Sequence, residues 1–242
     1  MRKAILGLAL LPSLVAAQEP AGDKIRVLVT YGGHDFEQKQ FYAMWDAMPG
    51  IAWTRCQLPR EADRLKPGLE KEFDVIVRYD MVPKVTPEQQ QAFMDLMKTS
   101  GIGLVAMHHN MGAHPAWDDY RSIIGGKYIL KPCQIDGKAY PGSNYEHDQD
   151  MKITVAEKDH PITKDVEDFV IRDEVYSKYY VAPDVKLLLK TDHPKNDPQI
   201  GWVRDFGRSR VFYYMLGHDQ KAWEHPNFRK LLLQGIHWAA RK

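Results

Sequence analysis

Apolar positions in this chain fall into short unbroken runs, separated by stretches with helical spacing. The first run, Ile25-Arg26-Val27-Leu28-Val29-Thr30, reads as a strand and leads into Tyr31-Gly32-Gly33-His34-Asp35-Phe36. Over residues 36–48, Phe41, Met44, Trp45 and Met48 recur at helical intervals, so the glycine turn feeds a helix. Residues 51–56 and 73–80 read as a second and a third strand. Thr86-Pro87-Glu88-Gln89 has a capping residue, proline at the first helical position and Gln three residues on, which predicts a helix to about Ser100 with Phe93, Leu96 and Met97 inward. Gly103-Leu104-Val105-Ala106-Met107 has no polar alternation, the pattern of a strand covered on both faces, and it stops abruptly at His108-His109-Asn110. Residues 117–124 predict a short helix ended by Gly125-Gly126.

The second half reads differently. Residues 127–150 are rich in Pro, Gly, Tyr and Asn and predict an irregular lid or substrate loop. A strand resumes at 151–155, and Val170-Ile171-Arg172-Asp173-Glu174-Val175-Tyr176 runs from apolar to acidic. Short strands at 185–189, 200–204 and 211–216 are closely spaced, as in an antiparallel extension of a sheet. Pro226 to Ala240 closes the chain as an amphipathic helix with Phe228, Leu231, Leu232, Ile236 and Trp238 on its buried side. Strands alternating with helices, followed by strands alone, predict an α/β fold: a doubly wound, mainly parallel sheet with an antiparallel C-terminal extension, in one domain over residues 18–242.

Composition adds a compartment. Arg2 and Lys3 precede an apolar stretch over 4–15 that is too short to span a bilayer, and Val15-Ala16-Ala17 offers small residues for cleavage. Residues 1–17 therefore read as a signal peptide, and the mature protein as periplasmic or secreted. Removing them takes two of the 33 basic residues and none of the 32 acidic ones, for a net charge of −1. That balance, without a Lys/Arg block, argues against nucleic acid. No later stretch is long and apolar enough for a membrane helix, so no membrane partner is expected after cleavage. Cys56 and Cys133 are either one disulfide or two free thiols. The oligomeric state stays open, a homodimer included.

In open α/β sheets ligands bind beyond the carboxyl ends of the strands. His34 and Asp35 follow the first strand, Asp80 ends the third, His108 and His109 the fourth, and His218 follows the last. If those strands are parallel, the histidines converge. His34, His108 and His218 with a carboxylate from Asp35, Asp80, Asp173 or Glu174 could then hold Zn²⁺ or a similar divalent ion, or work as acid, base and hydrogen-bond donors. No HExxH spacing supports a metal, and turn capping explains His34 and His218 equally well. The glycine turn lacks GxGxxG and GK[ST], and the loop lacks the Ser/Thr-rich cradle of a flavin phosphate, so no organic cofactor is expected. His114, His147, His193, His225 and His237 carry no partner signal, and His160-Pro161 reads as a structural turn. Trp117, Tyr120, Tyr145, Tyr179 and Trp202 suit either sugar stacking or the core.

Four segments, in this order, resemble the ThuA-like (trehalose utilisation) family: Gly32-Gly33-His34-Asp35-Phe36; residues 103–109 followed by Trp117, Tyr120 and Gly125-Gly126; His160-Pro161-Ile162-Thr163 followed by Asp173-Glu174 and Tyr176; and Trp202 followed by Arg210-Val211-Phe212-Tyr213 and Leu216-Gly217-His218. The resemblance implies a flavodoxin-like fold of the class I glutamine-amidotransferase type and a role in carbohydrate metabolism, beside oxidoreductases that make 3-keto sugars. Those amidotransferases place a nucleophilic Cys after a central strand; here Met107-His108-His109 stands there, and no Gly-x-Ser-x-Gly occurs, so thiol or serine nucleophiles are not expected. The expectation is a lyase or hydrolase acting on a (3-keto) glycoside or disaccharide. Its catalytic set is His108, Glu174, His34 and His218, and its substrate contacts are His109, Asp35, Asp80, Tyr176 and Trp117. A non-catalytic carbohydrate-binding protein is the alternative.

Overall fold

The computed structural model describes residues 24–242. The proposed signal peptide, 1–17, lies outside them. The chain runs β1 (Ile25–Gly32), α1 (Gln38–Asp46), β2 (Ile51–Gln57), β3 (Val75–Asp80), α2 (Pro87–Thr99), β4 (Gly103–Met107), α3 (Asp118–Ile124) and β5 (Gly126–Lys127). It continues β6 (Cys133–Ile135), β7 (Lys138–Tyr140), β8 (Asn144–Val155), β9 (Phe169–Ser177), β10 (Tyr180–Val181), β11 (Lys186–Thr191), β12 (Gln199–Phe206), β13 (Ser209–Tyr214), α4 (Gln220–Trp223) and α5 (Pro226–Ala240).

Nine strands form one sheet in the order β2-β1-β3-β4-β13-β12-β11-β8-β9. The first five are mutually parallel and the last four pair antiparallel. The parallel half thus has the 2-1-3-4-5 order of flavodoxin-like folds, with β13 in the fifth place. The expected C-terminal extension exists, but it begins one strand later than the sequence suggests, because residues 211–214 pair parallel to β4.

Side-chain alternation on β3 separates the two helical layers. Tyr79 stacks on Phe41 of α1 and meets Trp223 of α4 edge-on. Its neighbour Arg78 points the other way, between Phe93 of α2 and Tyr120 of α3. β3 and β4 are buried along their whole length, as a strand covered on both faces must be. α5 presses so close to β4 that a Cβ on Gly103 would sit 2.7 Å from the Ala239 backbone. The capping box forms as read: Gln89 N–H donates to Thr86 Oγ1 (3.3 Å) and Thr86 N–H to Gln89 Oε1 (2.9 Å).

Two expectations change, and one open alternative is decided. Residues 127–150 are not one irregular loop: β6 and β7 form a small hairpin and β8 begins at Asn144, paired to β9. Trp238 is only partly buried, since it covers the side of α5 beside Arg210 and His160. Cys56 and Cys133 are free thiols, and burial pushes the Cys56 thiol up to about 11. Among the described residues no helix is long and apolar enough to cross a membrane.

Candidate functional site

β4 ends in a sharp turn. His108, its first residue, has φ +49, a left-handed backbone that histidine tolerates better than most side chains. Three contacts hold it: Tyr213 O–H donates to its carbonyl (2.9 Å), its Nδ1 lies 2.7 Å from the Met215 carbonyl oxygen, and its ring stacks on Tyr176. Because a carbonyl can only accept, Nδ1 carries the hydrogen and Nε2 turns toward Glu174 and His218, behind the cleft.

Three groups meet around that Nε2. Glu174 Oε2 lies 2.9 Å away, Tyr176 Oη 2.9 Å and His218 Nδ1 3.2 Å. His218 Nδ1 is itself 3.3 Å from Glu174 Oε2. His218 arrives from the turn after β13, where Gly217 has φ +120 and no room for a Cβ against Phe228. Asp173 fixes that turn: its carboxylate accepts the backbone N–H groups of Gly217 (2.7 Å) and His218 (3.0 Å). Asp173 is therefore spent on backbone, and among the four carboxylates open at the sequence level Glu174 is the one that faces the imidazoles.

A β-bulge supplies one more histidine. Glu146 pairs with Val175 and Gln149 with Asp173, so His147 and Asp148 together face Glu174. Asp148 takes φ +59, and His147 Nδ1 comes to 3.3 Å from Glu174 Oε1, the oxygen that the other two histidines leave free. Burial would raise the Glu174 carboxyl, but its contacts with His108 and His218 outweigh burial and hold the group well below the usual carboxylate range. His218 moves the opposite way: burial lowers it, Glu174 more than compensates, and its imidazole is raised.

His34 stands at the rim, delivered by Gly33, whose φ is +76 and whose Cβ would fall 2.5 Å from the Met81 carbonyl oxygen. Its ring stacks on His109 at 4.5 Å, and its Nδ1 turns to the Asp35 carbonyl (2.6 Å) rather than to the cluster. The metal-competent set is accordingly His108, Glu174 and His218, with His34 outside it. His109 is buried behind His34 with Nε2 on the Tyr79 carbonyl, and burial first, then its imidazole neighbours, keep it neutral.

Three expected substrate contacts sit elsewhere. Asp80 lies wholly beneath the site, its carboxylate held by Arg78 (2.6 and 2.7 Å) and by Thr30. Trp117 packs in the core against Phe93 and His114. Asp35 is exposed at the lip, with only its carbonyl engaged. Conversely, sequence reasoning passed over His147, Tyr128 and Met81, all of which line the cleft. Only the bulge register would have singled out His147, and local sequence does not encode it. His114, which carries no partner signal in sequence, is buried against Arg78 (2.9 Å).

The donor set fits a divalent ion. Two imidazoles and a carboxylate offer three lone pairs to one point, and the bond from His108 to Met215 is the outer-shell contact that aims a ligating imidazole.

The family model described as ThuA, trehalose utilisation, matches residues 26–239. A ThuA-like protein from Parabacteroides merdae ATCC 43184 is similar in structure, with a TM-score of 0.74 at 18% identity over 90% of each chain. Another from Bacteroides uniformis ATCC 8492 gives 0.67 at 20% identity, covering 92% of this chain and 94% of that one. A cytoplasmic protein from Salmonella typhimurium LT2 gives 0.61 at 11%, covering 89% and 99%. At these identities the structural likeness shows the fold alone. No curated protein matches the sequence. The family match covers nearly the whole described chain, and this protein belongs to the ThuA, trehalose-utilisation, family, which points its site toward carbohydrate.

Proposed function

We propose that the protein is an exported enzyme that breaks a glycosidic bond in a sugar carrying a 3-keto group, by acid–base elimination or hydrolysis at the His108–Glu174–His218 cluster. One observation carries this reading: three titratable groups from the turn after β4, from β9 and from the turn after β13 meet within 2.9–3.3 Å of one another at the carboxyl ends of the parallel strands. A ketone acidifies the hydrogen on the adjacent carbon. Removal of that proton leaves an electron pair that forms an enolate on the ketone oxygen. The pair then returns to expel the glycosidic oxygen from the next carbon, and that oxygen takes up a proton. His218, with His108 behind it, would polarise the carbonyl oxygen. His34 and His147, which both line the cleft, would be the imidazoles that move protons, and Glu174 would orient the set.

A second reading differs in what neutralises the cluster. With Nδ1–H of His108 given to Met215, the Nε2 lone pair faces a carboxylate oxygen at 2.9 Å, an approach that needs a shared proton or a cation. A divalent ion held by His108, Glu174 and His218 would supply Lewis-acid polarisation of the carbonyl.

The decisive assay incubates purified protein with 3-keto-trehalose or a 3-keto-glucoside and follows release of the leaving sugar or alcohol. Turnover should fall roughly 10²-fold or more in His108→Ala and Glu174→Gln, the scale of acid–base contributions. Absence of product removes the enzymatic reading, and sugar binding that tolerates Glu174→Gln would establish a binding protein instead. Elemental analysis together with a Zn²⁺-dependent rise in Tm, lost in His218→Ala, decides between ion and proton.

A further inference from the structure

The cleft in front of Glu174 and His218 encloses about 390 Å³, and its lining is chemically mixed. His34, His147, Glu174 and His218 supply its polar groups, and Met81, Tyr128, Leu130 and Tyr145 supply an apolar surface. Three large hydrophobic side chains are exposed among the described residues, and two of them are here: Leu130 at 49% and Tyr145 at 61%.

Single exposed hydrophobics are ordinary, but these two are held out by their surroundings. Ile129, between Tyr128 and Leu130, is buried in a small satellite core with Ile135, Tyr180 and Ala182. Its N–H donates to Ser143 Oγ and its carbonyl accepts from Ser143 N–H, both at 2.8 Å. With Ile129 anchored inward, its neighbours on either side face the cleft. Tyr128 is braced edge-on against Tyr176, and Tyr145 edge-on against His147 on the bulged arm of β8. The wall is preformed, and little side-chain freedom remains to be lost when a ligand covers it.

From this division we infer that the site takes a glycoside with a flat apolar aglycone, an aryl group for preference, seated against Tyr145, Leu130, Tyr128 and Met81. The inference rests on the proposed function for the position of the sugar, which would lie against the polar groups. A second sugar suits this wall poorly: hydroxyls turned to Met81 and Leu130 would give up water and receive no hydrogen bond in return. An aryl ring exchanges nothing polar, and it meets aromatic rings that can stack on it.

The test is a binding measurement, so it does not depend on turnover. Calorimetric titration of the full protein with phenyl glucoside, methyl glucoside and trehalose should give a Kd for phenyl glucoside at least tenfold below the other two. In the Leu130→Ser/Tyr145→Ala double variant the phenyl-to-methyl ratio should fall to within twofold of unity. Tyr145→Phe, which keeps the ring and drops the hydroxyl, should retain the preference. Equal affinity for phenyl and methyl glucosides, trehalose binding as tightly as phenyl glucoside, a ratio unmoved by the double variant, or no saturable binding at all would each overturn the inference. A phenyl preference in a protein that converts no 3-keto glycoside would sustain the apolar subsite while removing the catalytic reading.

Discussion

Arg78 and Asp80, two apart on β3, form an ion pair with no exposed surface, joined by Thr30 from β1 and His114 from the loop before α3. In sequence Asp80 is indistinguishable from a rim carboxylate. What removes it from the site is Arg78 on the same face and Thr30 fifty residues earlier, neither of which a local pattern reveals as a partner. Asp80→Asn leaves the guanidinium buried and uncompensated, and urea unfolding should show a loss of about 3–5 kcal/mol. His114 adds a pH dependence. Burial, reinforced by Arg78, lowers its imidazole to about 4 from an ordinary 6.5. The unfolded chain therefore takes up this proton before the folded one does. The stability is complete above about pH 6.5 and declines as pH falls through 4, by up to about 3 kcal/mol from this group. Denaturation midpoints between pH 7 and 4 should show that slope in the wild type, and a flatter one in His114→Phe.

At the scale of elements, the bulge in β8 does what no strand of regular register can. Side chains alternate along a strand, so without the extra residue the segment N-terminal to it would turn to the other face. Deleting Asp148 should swing His147 off Glu174 and cut turnover of a 3-keto glycoside roughly 10²-fold, with little change in Tm because the arm is exposed. Asp148→Gly accepts the same φ of +59 and should keep the bulge and the activity; its surface ion pairs with Arg172 and Lys221 are worth little. Equal activity in both variants would show that His147 needs no bulge. The elements best legible in sequence were those with local signals: the capping box at Thr86, the uniform apolar run of β4, the proline and spacing of α5. β13 was visible as a strand but not as a parallel one, since pairing partners are set by topology and not by composition.

For the whole molecule, the site lies on the seam between two halves of one sheet. The parallel half contributes His34, His108 and His218 at its carboxyl edge; the antiparallel half returns β9 and β8 across that edge with Glu174, Tyr176 and His147. The proposed export signal belongs to this scale as well: the mature protein recovered from its host should begin at Gln18 by mass spectrometry, and retention of Met1 would remove the export reading. Sequence alone determined the strand and helix order, the mainly parallel α/β class, and the placement of His34, His108 and His218 just after strand ends, because period, capping and turn chemistry act over a few residues. Tertiary structure alone decided that Glu174 rather than Asp80 or Asp173 faces the imidazoles, that His147 joins them, and that apolar side chains line the same cleft. Each of those depends on which distant backbone carries the neighbouring atom, and that is fixed only when the nine strands take their places.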